Sequence, residues 1–425
     1  MDAPSRAVAE AADRADPLAA FRRRFVETVP DGVNARERPI YLDGNSLGRL
    51  PRSTSERLRQ VVVDEWGTGL VRSWDDWIDR PQTVGDKIGT QLLGARAGEV
   101  LVADSTTVNL YKLAAAALSA RPDRSVILTT DDNFPTDRYV LEGLAAERGR
   151  QVRTVAADPV DGLDLDALRS AIDQDVALVA LSQVAYRSGA VVDPVAVNEM
   201  AHAVGALTLW DLSHAVGCLP VDLTNDGTDL AAGCSYKYLH GGPGAPAWLY
   251  VRREHQTDLQ QPIWGWFGQR DQFAMADRYD AVAGIGRFAS GTPPVLALAA
   301  VEEGVAVVAE AGVERVRTKA MALTSLAVDL VDCWLAPIGA TLASPRDAAG
   351  RGAHVSLAHP EAYRLSGALT EQQVVVDVRP PDRVRLGLAP LTTSFVDVWD
   401  GLDRLRRILD TRAYESQPSE PGRVT

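Results

Sequence analysis

From residue 100 onward the chain alternates short apolar, β-branched runs (100–103, 125–129, 151–155, 176–182) with stretches of helical periodicity (108–118, 137–147, 164–172). Parallel strands need a crossover of a dozen or more residues, usually a helix, so this rhythm restricts the fold to βαβ units around a mainly parallel sheet. VALVALS (176–182) and ALTLWDL (206–212) are apolar at odd and even positions alike, which suits strands covered by helices on both faces. Two more runs, 230–233 and 245–251, continue the sheet. The second follows so closely that it is expected to lie antiparallel to a neighbour. The fold class is α/β: a mainly parallel seven-stranded sheet sandwiched by helices, with a smaller α+β domain.

At 425 residues the chain is longer than one core usually fills. An N-terminal stretch reads as one helix to about Arg38 and, with the loop YLDGNSLGRLP (41–51), forms a segment 1–52 expected to pack with the small domain. The large domain is expected over 53–300 and the small one over 301–415, the boundary falling in the apolar-periodic stretch from Val295 to about Cys333. Beyond it lie two β-like pieces in VVVDVRPPDRVRLGLAP (374–390) and a helix in DVWDGLDRLRRILD (397–410). The closing YESQPSEPGRVT (414–425) reads as disordered, so that 416–425 form a tail.

Lysines and arginines number 44 against 57 acidic residues, a formal charge of −13. No global basic field exists to attract nucleic acid or anionic lipid. The three cysteines, Cys218, Cys234 and Cys333, have no CxxC spacing, which argues against a structural metal site or a disulfide framework. With no secretory apolar core and no uninterrupted apolar stretch of spanning length, the expectation is a soluble cytoplasmic protein.

Ligands gather at the carboxyl ends of strands in open α/β sheets, and polar residues follow each expected strand here. DSTTVNLYKL (104–113) brings hydroxyls and free helix-start N–H groups together where a phosphate fits, although plain N-capping explains it equally well. DDNFPTDRYV (131–140) places Phe134 before another helix, to stack on a flat ring or to anchor packing. ALTLWDLSHAVG (206–217) puts Asp211 just past a buried strand with His214 three residues on. Twenty-six residues after Asp211, GCSYKYLHGGPGAPAWLYV (233–251) presents Lys237 before a glycine-rich turn. A carboxylate that keeps a ring nitrogen protonated, followed by a lysine that forms a Schiff base, is what pyridoxal 5'-phosphate (PLP) requires.

YLDGNSLGRLP (41–51), DSTTVNLYK (104–112), NFPTDRY (133–139), DLSHAVGCLPVDL (211–223), CSYKYLHGGPGAPA (234–247), GWFG (265–268) and SGTPP (290–294) together resemble the kynureninase family, from about Tyr41 to about Asp400. The resemblance implies a fold-type I PLP enzyme that hydrolyses L-kynurenine, and possibly its 3-hydroxy form, to anthranilates and L-alanine in tryptophan catabolism, through aldimine and ketimine intermediates. It implies that Lys237 carries PLP and moves the α-proton, that Asp211 pairs with the pyridine nitrogen, and that Phe134 stacks on the ring. Thr106, Thr107, Tyr236, Trp266 and Thr292 are assigned to the phosphate end, with Trp266 and Thr292 arriving from the second subunit of a homodimer. Asp137, Ser182 and His214 match further cofactor contacts; Arg385 matches the grip on the substrate α-carboxylate, and Asn45 and Trp74 match substrate-side contacts. Tyr236 either relays protons or only binds phosphate. PLTTSF (390–395) departs from the family pattern, in which a tyrosine often follows the Pro-Leu pair. Two alternatives share the cofactor: a relative acting on a substituted kynurenine, and a desulfurase-like lyase, for which Cys333 is the one candidate nucleophile.

Overall fold

The computed structural model describes residues 3–26 and 38–419. At its centre seven strands form one sheet: β1 (Val100–Val102), β2 (Val126–Thr130), β3 (Gln151–Val155), β4 (Val176–Ser182), β5 (Leu207–Asp211), β6 (Leu230–Gly233) and β7 (Trp248–Val251). Their order is β1-β7-β6-β5-β4-β2-β3. The pairs from β3 to β6 are parallel, while β7 runs antiparallel to both β6 and β1. Period-two alternation divides the buried side chains of β5 between two cores, Trp210 to one face and Leu207 and Leu209 to the other. On the second face the helix Thr106–Ser119 buries the run Ala114–Ala117, whose small side chains let it lie close to the sheet. Ser182 stands in register with Asp211, and Asp211 with Ala232. The carboxyl ends of β4, β5 and β6 therefore finish on one edge of the sheet.

The helix Val295–Ala311 passes at Gly312 (φ 80°) into the helix Val313–Leu330, which leads to a second, antiparallel sheet. Its strands β8 (Thr341–Leu342), β9 (His354–Ala358), β10 (Asp377–Arg379) and β11 (Arg383–Gly387) lie in the order β10-β11-β9-β8. The helix Phe395–Thr411, opened by a capping box of Ser394 and Asp397, covers this sheet together with Leu323, Leu330 and Leu335. The 313–338 helical stretch is long and apolar enough to cross a membrane by length and composition. Its apolar side is nevertheless spent on this core.

Two expectations need correction. The N-terminal helix stops at Ala15, because Asp16 turns extended ahead of Pro17, and a short 3-10 turn, Ala19–Arg24, follows; the remainder of that expectation, 27–37, lies outside the described residues. Asp16 is held there by a buried ion pair with Lys319 at 2.8 Å. At the other end, Ala413–Ser416 forms a turn with Tyr414 buried edge-on to His359, an aromatic anchor that outweighs the polar composition around it. Of the expected tail, 420–425 lie outside the described residues.

Candidate active site

A cavity of about 670 Å³ opens at the carboxyl edge of the large sheet. Ten of the residues singled out from sequence line it: Thr106, Thr107, Phe134, Asp137, Ser182, Asp211, His214, Tyr236, Lys237 and Thr292. Asp211 is the last residue of β5, and its Oδ1 accepts from the Ser213 backbone N–H at 2.8 Å, which fixes the carboxylate at the strand end. Asp137 comes from the first turn of the helix Pro135–Arg148. Its Oδ1 is buried with no hydrogen-bond partner. Burial, then the charge of nearby Asp211, pushes its carboxyl well above the usual range, and the charge of Lys237 opposes that.

Lys237 Nζ lies 3.0 Å from His214 Nε2, which is also 3.2 Å from the Asn45 carbonyl oxygen. Burial, followed by the charges of Lys237 and Arg385, holds the His214 imidazole well below its ordinary range, so the ring is neutral. The Lys237 ammonium is 5.9 Å from the centre of the Phe134 ring and 6.0 Å from that of Tyr236. Burial, then Cys234, raises the Tyr236 phenol well above its ordinary value, so it is a proton donor at neutral pH.

Sequence reasoning missed the residue that organises the Phe134 loop. Asn133 Oδ1 accepts from Ser182 Oγ at 2.7 Å and from the Phe134 backbone N–H at 2.9 Å, and its Nδ2 donates to Thr129 Oγ1 at 3.1 Å. The signal was its place beside Phe134 in NFPTDRY. Tyr186 was missed as well; it lines the cavity with its ring 5.3 Å from that of Phe134, edge-on.

Four singled-out residues stand off the cavity wall. Arg385 is 1% exposed, and its charge is felt by His214. Its Nη1 donates to the Tyr186 carbonyl at 2.6 Å and its Nη2 pairs with buried Asp377. Asn45, with its amide oxygen turned to Arg385, accepts from Nε at 2.8 Å and Nη2 at 3.1 Å. The close approach requires Gly387, where a Cβ would fall 1.8 Å from the other terminal atom of the Asn45 amide. Trp74 packs on Trp77 and, at 6.3 Å, on Phe267, which does line the cavity. Trp266 is 41% exposed and edge-on to the same Phe267, and Thr292 is among the residues lining the cavity.

The donor set fits PLP. It offers an amine for covalent attachment, carboxylates at the floor, an aromatic face at Phe134, and hydroxyls beside the free N–H groups that open the helix Thr106–Ser119. Comparison with known proteins agrees. Residues 316–405 match the kynureninase C-terminal domain. A kynureninase from Pseudomonas fluorescens is 43% identical over 412 residues, 95% of each chain. One from Burkholderia pseudomallei (strain 1106a) is 42% identical over 419 residues, 97% of each. The chain belongs to the kynureninase family.

Solved structures place the family's fold among the fold-type I PLP enzymes. An apo cysteine desulfurase from Thermococcus onnurineus NA1 aligns with a TM-score of 0.78 at 18% identity, covering 91% of this chain and 100% of that one. A cysteine desulfurase from Escherichia coli aligns with a TM-score of 0.78 at 17% identity, covering 93% of this chain and 98% of its own. At such identities the likeness is one of fold alone. Cys333, the candidate nucleophile of the desulfurase-like alternative, is half-buried at 331–335 and is not among the residues lining the cavity.

Proposed function

We infer that the protein hydrolyses L-kynurenine to anthranilate and L-alanine, with pyridoxal 5'-phosphate as its cofactor. The observation that carries the reading is Lys237 set 3.0 Å from a neutral His214, with Asp211 on the same cavity wall, in a chain of this family. Bound PLP supplies an electron sink that acidifies the substrate α-carbon and then makes the bond next to the γ-carbonyl labile. Lys237 would hold the cofactor and shuttle the α-proton through Nζ. Asp211 would hold a proton on the ring nitrogen by its charge. Phe134 would cover one face of the ring and exclude water there, while Thr106, Thr107 and the adjacent helix start bind the phosphate. Tyr236, kept protonated by its burial, would donate a proton to the departing product or to a phosphate oxygen. Arg385, preset by Asp377 and Asn45, would turn its fork to the substrate carboxylate.

The functional assembly in this proposal is a homodimer with the cavity at the subunit interface. Support comes from exposed apolar side chains in 264–275, the segment that also holds the cavity residue Phe267: Trp264, Phe273 and Met275 stand 61%, 64% and 73% exposed. The reaction is tested by incubating the PLP-loaded protein with L-kynurenine and with 3-hydroxy-L-kynurenine, following anthranilate fluorescence and L-alanine, with Lys237→Ala as control. Product from the wild type alone supports the reading and ranks the substrates; PLP binding with neither product overturns the assigned reaction.

A further inference from the structure

Lys112 carries a charge into the core of the large sheet without touching the cavity. It sits on the helix Thr106–Ser119, two turns in from the helix start, and is 0% exposed. Its Nζ is 2.5 Å from Asp104 Oδ2 and donates to the Phe288 carbonyl at 2.8 Å. Burial draws its pKa down and the charge of Asp104 opposes that. A buried cation with two oxygen partners from distant parts of the chain is expensive to keep, so what those two partners do matters.

Asp104 opens the loop that leads into Thr106 and Thr107. It has a left-handed backbone (φ 48°), a conformation that costs a non-glycine residue energy unless its surroundings hold it. Its carbonyl accepts from the Ala247 backbone N–H at 2.8 Å, and its carboxylate is gripped by Lys112. Phe288, wholly buried, ends the turn Gly284–Phe288, and the next residues, Ala289 to Pro294, line the cavity and deliver Thr292. One ammonium group thus ties the loop that leads to Thr106 and Thr107, on the phosphate side of the proposed cofactor site, to a second segment of the cavity wall.

We propose that Lys112 is a positioning residue for that phosphate: its bridge from Asp104 to the Phe288 carbonyl holds the 104–107 loop and the 289–294 segment at one fixed separation. The inference rests on the PLP reading given above. It predicts that loss of the bridge weakens recognition of the phosphate while recognition of the pyridine ring by Asp211, Phe134 and Lys237 continues.

The test uses full-length apoprotein titrated with PLP and, separately, with pyridoxal, which lacks the phosphate, following the visible absorbance of the lysine adduct. Lys112→Met and Asp104→Asn should each raise the Kd for PLP about tenfold, the scale of one lost charge-assisted hydrogen bond, and leave that for pyridoxal within about twofold. The double variant should be no weaker than the weaker single, since both break one bridge. Equal weakening toward PLP and pyridoxal would mean a merely structural role and would overturn the proposal, as would unchanged PLP affinity in both. If Lys112→Met fails to fold, Asp104→Asn, whose side chain is partly exposed, decides alone. A wild-type chain that takes up neither compound overturns the cofactor reading itself, and the inference falls with it.

Discussion

The His214 ring lies 3.0 Å from Lys237 Nζ on one side and 5.4 Å, centre to centre, from the ring of His354 on the other. Both imidazoles are buried and held well below their ordinary range, His354 by burial and then by the charges of Arg385 and Lys237. A charged histidine beside the lysine would repel its ammonium form. A neutral one instead offers a lone pair or an N–H, as the step requires.

Because the folded imidazole titrates below its free value, His214 stays neutral from mildly acidic to alkaline pH and contributes no acid limb to the rate profile above about pH 6. His214→Gln should lower kcat by about tenfold or more while the acid limb stays within about half a pH unit of the wild type's. A limb that moves with this substitution would assign the titration to His214.

Asn133 bonds at once to Ser182, to Thr129 and to the backbone of Phe134, and it is 3% exposed. Asn133→Ala strands those partners in a buried place, at about 1–3 kcal/mol. Urea denaturation should show that loss. PLP affinity should fall as well, because the Phe134 loop is released. Asn133→Asp, which keeps the acceptor, should recover part of both.

Arg385 and Asp377 form an ion pair with both side chains essentially out of solvent. Asp377→Asn leaves the guanidinium with reduced compensation in a dry site, a change that costs about 3–5 kcal/mol when a buried partner is removed. The expected result is a fall in Tm together with a KM for kynurenine that rises more than kcat falls. An unchanged KM would detach Arg385 from the substrate carboxylate.

Far from the cavity, buried Asp229 accepts from His202 Nε2 at 2.9 Å and is 2.8 Å from His255 Nε2. Burial opposes the Asp229 charge, but the hydrogen bonds from His202 and His255 prevail and hold its carboxyl well below the usual range, while Asp229 raises His202. The Asp229 contribution is present above its unfolded pKa, about 4, and is lost as pH falls through the lower folded value. The His202 contribution is complete below its unfolded pKa, about 6.5, and is lost as pH rises through the higher folded value. Stability from this cluster is therefore greatest between about pH 4 and 6.5 and declines above neutrality. Tm measured across that range should follow this course, and His202→Gln should flatten its alkaline side.

The strands of the large sheet were legible because their residues are apolar on both faces and their helices carry clear periodicity: 151–155, 176–182 and 230–233 coincide with β3, β4 and β6. Phe134, Asp211 and Lys237 were legible because each stands at or just past the end of a strand, where backbone geometry gathers side chains, whereas Thr292, with no strand nearer before it than β7, came from the family resemblance alone. Asn133 and Lys112 were not legible. Their importance lies in partners 49 and 176 residues away, Ser182 and Phe288, which no local pattern announces. The same holds for Asp377, whose role shows only once β10 lies against β11 and sets it beside Arg385. The N-terminal helix was drawn too long because charged, alanine-rich sequence favours helix on either side of Pro17.

Residues 40 and 41 pair in parallel with 374 and 375, Arg6 bonds Asp400 at 2.7 Å, and Asn45 meets Arg385. These three partnerships of residues 6–45 therefore all wait for residues 374–400, far along the chain. In a chain that folds as it is synthesised, the lysine side of the cavity can settle on the large sheet while the carboxylate side still waits for its second half. On the roles proposed above, the nascent protein would acquire the means to hold a cofactor before the means to hold a substrate.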